Sequence, residues 1–392
     1  MATTFSVGPD QGDDELGKFR AIMGEAFAVP PDRCRQYVEL AGRQNIRVVR
    51  IDGTVAGGLA VLPKGQWFGG RAVPMAGIAA VAIAPEYRAR GAATVLLNET
   101  LAELHAAGTP ISTLYPATLA LYRRVGYEAA GLHIDVTLPA KAIDIRDRSL
   151  DVRPATEADE SAIQDVYARY AAATAGNLQR TKFHWARVRD VRGEPAQGYV
   201  VTRGGALEGY AYVLSQPVAE RRYDLRVSDL AALTPEAARR LLTFLADFRT
   251  IRDQVRFWSG PADPMLLHLA EFAYKAECAT PWMLRMVDVS AALEARGYPR
   301  GIVAEAHLAV RDDVLPRNSG KYVLSVADGR GHVRKGGQGA VDLHIRGLAA
   351  LYSGLYTPGD VVLAGLGQGK SADVAGLAGV FAGPTPWMRD EF

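Results

Sequence analysis

The sequence predicts an α+β protein of three domains, over residues 1–140, 150–286 and 287–392. Three observations carry this. Helical and strand-like patterns alternate through the first third. Val152-Arg153-Pro154-Ala155-Thr156-Glu157-Ala158-Asp159 then restarts the same pattern, and from Val287 onward glycine becomes frequent between short apolar runs. A chain of 392 residues gives each domain enough length for a core of its own.

In the first domain Asp13 and Asp14 suit a helix start, and Leu16, Phe19, Met23 and Phe27 recur at helical spacing. Pro30-Pro31-Asp32 ends that helix and begins a second one through Leu40. Strands at 46–51 and 55–62 flank Asp52-Gly53-Thr54, a hairpin signal. An apolar strand over 75–84 precedes a helix over 93–107, whose buried face is marked by Leu97, Leu101 and Leu104. Gly108 and Pro110 stop it. A strand at 111–115, a short helix at 119–125 and a strand at 132–138 complete the domain. The charge-rich 140–149 segment reads as a linker.

The second domain predicts strands at 198–201, 210–214 and 224–233 and a helix over 237–248. In the third, the runs 306–310, 322–327, 341–345 and 360–363 read as strands, and 291–296, 348–355 and 372–381 as helices. Alternation in Val341-Asp342-Leu343-His344-Ile345 marks a sheet with one face buried.

Composition excludes several functions. The 48% hydrophobic and 22% charged content is that of a globular protein. A net charge of +2 with no block of like charge excludes nucleic-acid binding through bulk charge. No apolar run reaches membrane-spanning length, and two distant cysteines without ligand spacing suit a reducing cytoplasm. The seven histidines form no metal-ligand cluster and no nucleophilic triad, so neither metal nor covalent catalysis is expected. Ala364-Gly365-Leu366-Gly367-Gln368-Gly369-Lys370-Ser371 nearly spells a nucleotide P-loop, but too little chain follows for the remaining strands. It reads as a glycine-rich turn.

The chemistry concentrates where the apolar strand ends. Arg88-Ala89-Arg90-Gly91-Ala92-Ala93-Thr94 joins that strand to the leucine-rich helix. Orphan amides and the helix dipole at such a junction favour anionic oxygen, the arginines add charge, and Gly91 lets backbone approach a ligand closely. The segment resembles the acetyl-coenzyme A signature of the GNAT superfamily of N-acetyltransferases, with Ala93 standing where glycine is commonest. Tyr122-Arg123-Arg124-Val125-Gly126-Tyr127 resembles the same superfamily's Tyr-x-x-x-Gly-Phe/Tyr turn. The resemblance implies that Tyr122 protonates the departing thiolate of coenzyme A. It also implies that Val81, Ala82 and Ile83 offer main-chain groups to the thioester arm, with Ala117 and Thr118 on its other flank. At the matching place in the second repeat, Leu233-Thr234-Pro235-Glu236 has no glycine and lacks an amide at Pro235. That half reads as a degenerate copy of the fold without a cofactor loop.

Two GNAT-like repeats followed by a domain similar to sterol carrier proteins resemble the Eis-type (enhanced intracellular survival) N-acetyltransferases over essentially the whole length. Val289-Ser290-Ala291-Ala292-Leu293-Glu294-Ala295-Arg296-Gly297-Tyr298 looks characteristic of that family. The resemblance implies acetyl-CoA as donor and direct attack by a primary amine. It implies Phe392 as a terminal residue whose carboxylate serves as general base. It further implies aminoglycoside acceptors modified at several amines, a wide acidic pocket with Glu25, Asp13 and Glu391 as candidate walls, and a homohexamer. A protein lysine or a polyamine is the competing acceptor. A lipid-carrying module with vestigial GNAT halves is the reading from another class.

Overall fold

The computed structural model describes residues 3–220 and 222–392. The first third builds β1 (Phe5–Gly8), α1 (Asp13–Phe27), α2 (Pro31–Ala41), β2 (Ile46–Ile51), β3 (Thr54–Phe68), β4 (Arg71–Ile83), α3 (Ala92–Ala106), β5 (Ile111–Leu114), α4 (Leu119–Arg124) and β6 (Glu128–Pro139). Asp13 is the first helical residue of α1, not its cap, and with Asp14 and Glu15 it sets negative charge at the positive end of the helix. Leu16, Phe19 and Met23 are buried as the spacing requires, whereas Phe27 lies exposed at the last turn.

The second third contributes β7 (Asp151–Pro154), α5 (Glu160–Ala172), β8 (Leu178–Gln179), α6 (Lys182–Arg189), β9 (Asp190–Val191), β10 (Glu194–Pro195), β11 (Gln197–Arg203), β12 (Ala206–Ala219), β13 (Arg222–Ala232), α7 (Pro235–Ala246), β14 (Arg252–Ser259) and β15 (Lys275–Met286). Apart from β9 and β10, which pair only with each other, these strands do not form a separate sheet. A single sheet runs β1-β2-β3-β4-β5-β15-β6-β14-β13-β12-β11-β7, with β8 added beside β3. β15, from the end of the second repeat, pairs with β5 of the first, and β6 of the first pairs with β14 of the second. Each repeat therefore lends a strand to the other. The 140–149 segment, expected to be a linker, is packed instead: Ala140 and Ile143 are fully buried in the core beneath α7.

The last third forms α8 (Val289–Ala295), β16 (Ala304–Arg311), β17 (Gly320–Ala327), β18 (Arg330–Lys335), β19 (Val341–His344), α9 (Ile345–Ser353), α10 (Pro358–Leu363), β20 (Gly367–Gly369) and α11 (Ser371–Val380), around a sheet ordered β18-β17-β16-β19-β20. The run expected as a strand at 360–363 is helical. Thr357 and Asp360 form a capping box and Pro358 occupies the first turn, which starts a helix rather than a strand. The P-loop look-alike contains β20, paired antiparallel to β19 and preceded by a helix, so its glycines serve sheet pairing. Leu348, Leu351 and Tyr352 of α9 pack on Phe68, Trp282 and Leu284 of the large sheet in one continuous core. The buried Arg285–Asp312 ion pair, at 2.7 Å, ties β15 to this domain.

Candidate active site

The site begins with a local irregularity. Between β3 and β4 the register shifts so that Ala80 and Val81 oppose the single residue Leu59, and Ala80 takes φ +51°. This is a β-bulge, and it turns two successive residues, Ala79 and Ala80, toward the core under α1 and α2. Val81 and Ile83 turn instead toward the core under α3. Buried Ala82 returns to the α1–α2 side. Parallel pairing of β4 with β5 ends at Gly77 and Thr113, so Ile78–Ile83 run on without a β5 partner. The strands splay, and main-chain groups of the Val81–Ile83 segment border the gap.

At the end of β4, Ala89 and Gly91 both adopt positive φ, +60° and +88°. Positive φ on either side of Arg90 makes a nest of amides pointing one way. Among the described residues no side chain caps α3, and its first backbone bond runs from Val95 to Gly91. The amides of Ala89 to Thr94 are therefore free to receive an anion at the positive end of a four-turn helix. Arg90 lies over the Tyr87 ring, while Arg88 Nε donates to the Ile83 carbonyl at 3.2 Å, fixing the loop to the strand end. At the matching place in the second repeat the Thr234 side chain accepts from the Ala237 amide and Pro235 has no N–H, so an anion finds no such cradle there.

Tyr122 is buried at the end of α4, in the same core that Val81 and Ile83 pack against. Burial pushes its pKa up to about 12, so the phenol keeps its proton at neutral pH and can donate it. Gly126 shapes this turn with φ +89°, and a Cβ there would sit 2.7 Å from the Arg285 guanidinium. Tyr127 locks it, its hydroxyl 2.7 Å from Ser112, which in turn donates to the Ala76 carbonyl of β4. Ala117 and Thr118 are exposed on the β5–α4 connection.

Residues 387–392 run from the third domain to the point where β4 and β5 part. Met388 N donates to the Leu132 carbonyl of β6, and Gly176 and Gly260 leave room for Trp387. Beyond Met388, which is fully buried, the Phe392 ring lies against Gly77, where a Cβ would come within 2.7 Å. That is the point at which β4 leaves β5, on the α1–α2 side. Tyr122 and the Phe392 ring thus approach β4 from opposite faces.

Residues 10–130 and 176–286 match the family described as acetyltransferase (GNAT) domain, and residues 289–389 match the sterol carrier protein domain. An uncharacterized N-acetyltransferase of Streptomyces avermitilis is 31% identical over 313 residues, 73% of this chain and 73% of that protein. N-acetyltransferase Eis of Mycobacterium tuberculosis is 29% identical over 284 residues, 66% of this chain and 65% of that one. A GCN5-related N-acetyltransferase from Anabaena variabilis, known as a crystal structure, superposes with a TM-score of 0.95 at 39% identity, covering 99% of this chain and 100% of that one. The chain belongs to the Eis-type N-acetyltransferases of the GNAT superfamily. It is an acetyl-CoA-dependent enzyme with two GNAT domains and a sterol-carrier-like domain.

In this Eis-type enzyme the second GNAT domain holds the tail. Arg180 Nε donates to both carboxylate oxygens of Asp390 at 3.0 Å and its other end grips Asp229, which also takes Arg389 at 2.8 Å. Tyr210 and Tyr167 donate to Asp229 and Asp390, and the whole cluster is buried. The two arginines keep both carboxyls below their ordinary range despite burial. Further along, Tyr115 donates to the Met388 and Asp390 carbonyls. Fully buried His133 sits 2.7 Å from the Met388 carbonyl, and burial lowers its pKa. Glu391 is half exposed, 3.7 Å from His133. Glu25 is exposed on α1, and Asp13 is taken by Arg43 at 2.6 Å. Sequence reasoning missed Arg180, Asp229, Tyr115, His133, Lys64 and His184. No motif marks them, because they converge only when both repeats close around the tail.

Proposed function

We propose that this enzyme transfers acetyl from acetyl-CoA to a primary amine of an aminoglycoside, at more than one position, by direct attack within a ternary complex. The donor supplies an activated acyl group, and the protein's residues bind, orient and move protons. The observation that carries the reading is the Ala89–Thr94 amide nest at the mouth of a splayed β4–β5 pair, with Tyr122 on one face and the chain end on the other. Arg88, Arg90, Gly91, Ala92, Ala93 and Thr94 hold the diphosphate. Main-chain groups of Val81, Ala82 and Ile83 orient the thioester arm and steady developing negative charge, with Ala117 and Thr118 flanking it. Tyr122 gives its proton to the thiolate, and the Phe392 carboxylate receives the proton that the acceptor ammonium loses.

A lysine side chain of a protein is the second reading, and one feature favours it. Of the acidic walls named from the sequence, Asp13 is committed to Arg43, which leaves Glu25 and Glu391 to attract cationic acceptors. That suits a single ammonium better than a polycation. Thiol release from acetyl-CoA with kanamycin, spermidine and a lysine peptide separates the readings. Turnover confined to the peptide would overturn the aminoglycoside assignment. A homohexamer is proposed as the working assembly, and light scattering in solution tests it.

A further inference from the structure

Lys64 of β3 is a half-buried lysine whose Nζ lies 3.5 Å from the centre of the Phe392 ring. Its Cε reaches to 3.2 Å from where a Cβ on Gly77 would stand, so the amine occupies the point where β4 and β5 part. Nζ is 3.0 Å from His184 Nε2 on α6. The other ring nitrogen decides what passes between them. The Thr181 backbone N–H donates to His184 Nδ1 at 3.2 Å, and a backbone N–H can only donate, so Nδ1 carries a lone pair and the ring proton sits on Nε2. Nε2–H then points at Nζ, which must accept. An imidazolium would set N–H against N–H at Nδ1. This arrangement favours the free amine at Nζ over the ammonium.

We propose that Lys64 receives, through an intervening water, the acceptor's proton from the Phe392 carboxylate and passes it to solvent. The inference rests on amine acetylation at this site and names a residue beyond those assigned above. An α-carboxyl of ordinary pKa, about 3.3–3.7, holds a proton from an ammonium poorly. An amine of intermediate basicity drains it. The acceptor N–H breaks and leaves its electron pair on nitrogen for attack. The carboxylate O–H forms and then breaks as a water takes that proton and gives one of its own to the Nζ lone pair. The Lys64 ammonium, now facing Nε2–H donor to donor, releases the proton to solvent.

The groups facing Nζ fit this. His184 and Arg187 come from α6, Asp390 and Phe392 from the tail, the Phe183 ring lies 5.7 Å away, and β4 presents only Gly77. Asp390 is committed to Arg180, and among the described residues no carboxylate forms an ion pair with Nζ. Burial, with the Arg187 charge, holds its pKa well below the ordinary lysine value.

Rate against pH with kanamycin or the lysine peptide tests the proposal in Lys64→Met and Lys64→Arg. Both variants should lose about 10²-fold in kcat at pH 7, the scale of a lost general base. Their rates should climb with pH until the acceptor is itself deprotonated, while CoA affinity stays unchanged. Lys64→Arg retaining activity within threefold would show that only charge or packing matters, and the proposal would fall. A wild-type pH profile in Lys64→Met would do the same. Wild-type protein inert toward every amine would sink the transfer reading instead. Competitive acetic-anhydride labelling, read by mass spectrometry, would still decide the amine: titration near neutral pH supports the proposal, and titration at the ordinary lysine value overturns it.

Discussion

Tyr122 shows how little a residue needs when its surroundings are arranged for it. Among the described residues its hydroxyl has no hydrogen-bond partner, and burial alone raises the pKa to about 12. The proton is thus present at any working pH and available to the departing sulfur as negative charge develops on it. Replacing Tyr122 with Phe should lower turnover by about 10²-fold while calorimetric CoA affinity is preserved. Equal turnover would remove it from the reaction. The converse holds at Gly91, which contributes backbone and no chemistry. Its φ of +88° is open to glycine and strained for a β-branched residue. Gly91→Val should weaken CoA binding by about tenfold, since roughly 1–3 kcal/mol of strain would flatten the nest. Calorimetry reads this directly, and unchanged affinity would show that the amides are not the grip.

At the scale of elements, what could be read from sequence was what local pattern controls. β2, β4, α3 and the loop between the last two follow from alternation, leucine spacing and a glycine after arginine. Of the motif residues, Gly91 falls where α3 begins and Tyr122 within the short α4. β14 and β15 escaped. Pro281 stands inside β15, a central strand, where it is tolerated because the register breaks on both sides of it, at Cys278/Thr280 and Trp282/Met283. No single-sequence pattern announces that a strand with a proline will separate β5 from β6. The tail-holding residues were illegible for a related reason: an arginine such as Arg180 reads as solvated surface until Asp229 and Asp390 arrive from 49 and 210 positions away. The α4–β6 turn is where element and chemistry meet. Gly126→Ala meets both a positive φ and the Arg285 guanidinium. It should lower the melting temperature by several degrees, for about 1–3 kcal/mol, and reduce turnover with it. A variant as stable as wild type would mean Arg285 moves aside.

Across the whole molecule, strand exchange makes the two GNAT repeats one body, and the chain end is the wedge between them. The degenerate repeat carries the pocket for Arg389 and Asp390. Arg180→Met would strand Asp229 and Asp390 in the interior, a loss of about 3–5 kcal/mol for a broken buried pair. Such a variant should bind CoA through the untouched first domain yet fail to acetylate, and normal turnover would separate the tail from the reaction.

Acid should loosen the same wedge. Burial pushes His184 down to about 3 in the folded protein, against an ordinary 6.5, and the charge Lys64 carries once acid protonates it adds to the shift. Between those values the undocked or unfolded chain binds a proton that the native state refuses, so the share of stability due to His184 is complete above about pH 6.5 and falls as pH drops. The slope reaches about 1.4 kcal/mol per pH unit for one such group. His133 is shifted the same way by burial. Asp390, lowered by Arg180, adds its own loss only below the ordinary carboxylate range. Melting temperature followed from pH 8 to 4 should therefore begin to drop in the histidine range, well before the carboxylates titrate. His184→Phe should flatten the upper part of that curve. A melting temperature constant from pH 6.5 to 4.5 would mean that His184 takes its proton without disturbing the closure around the tail.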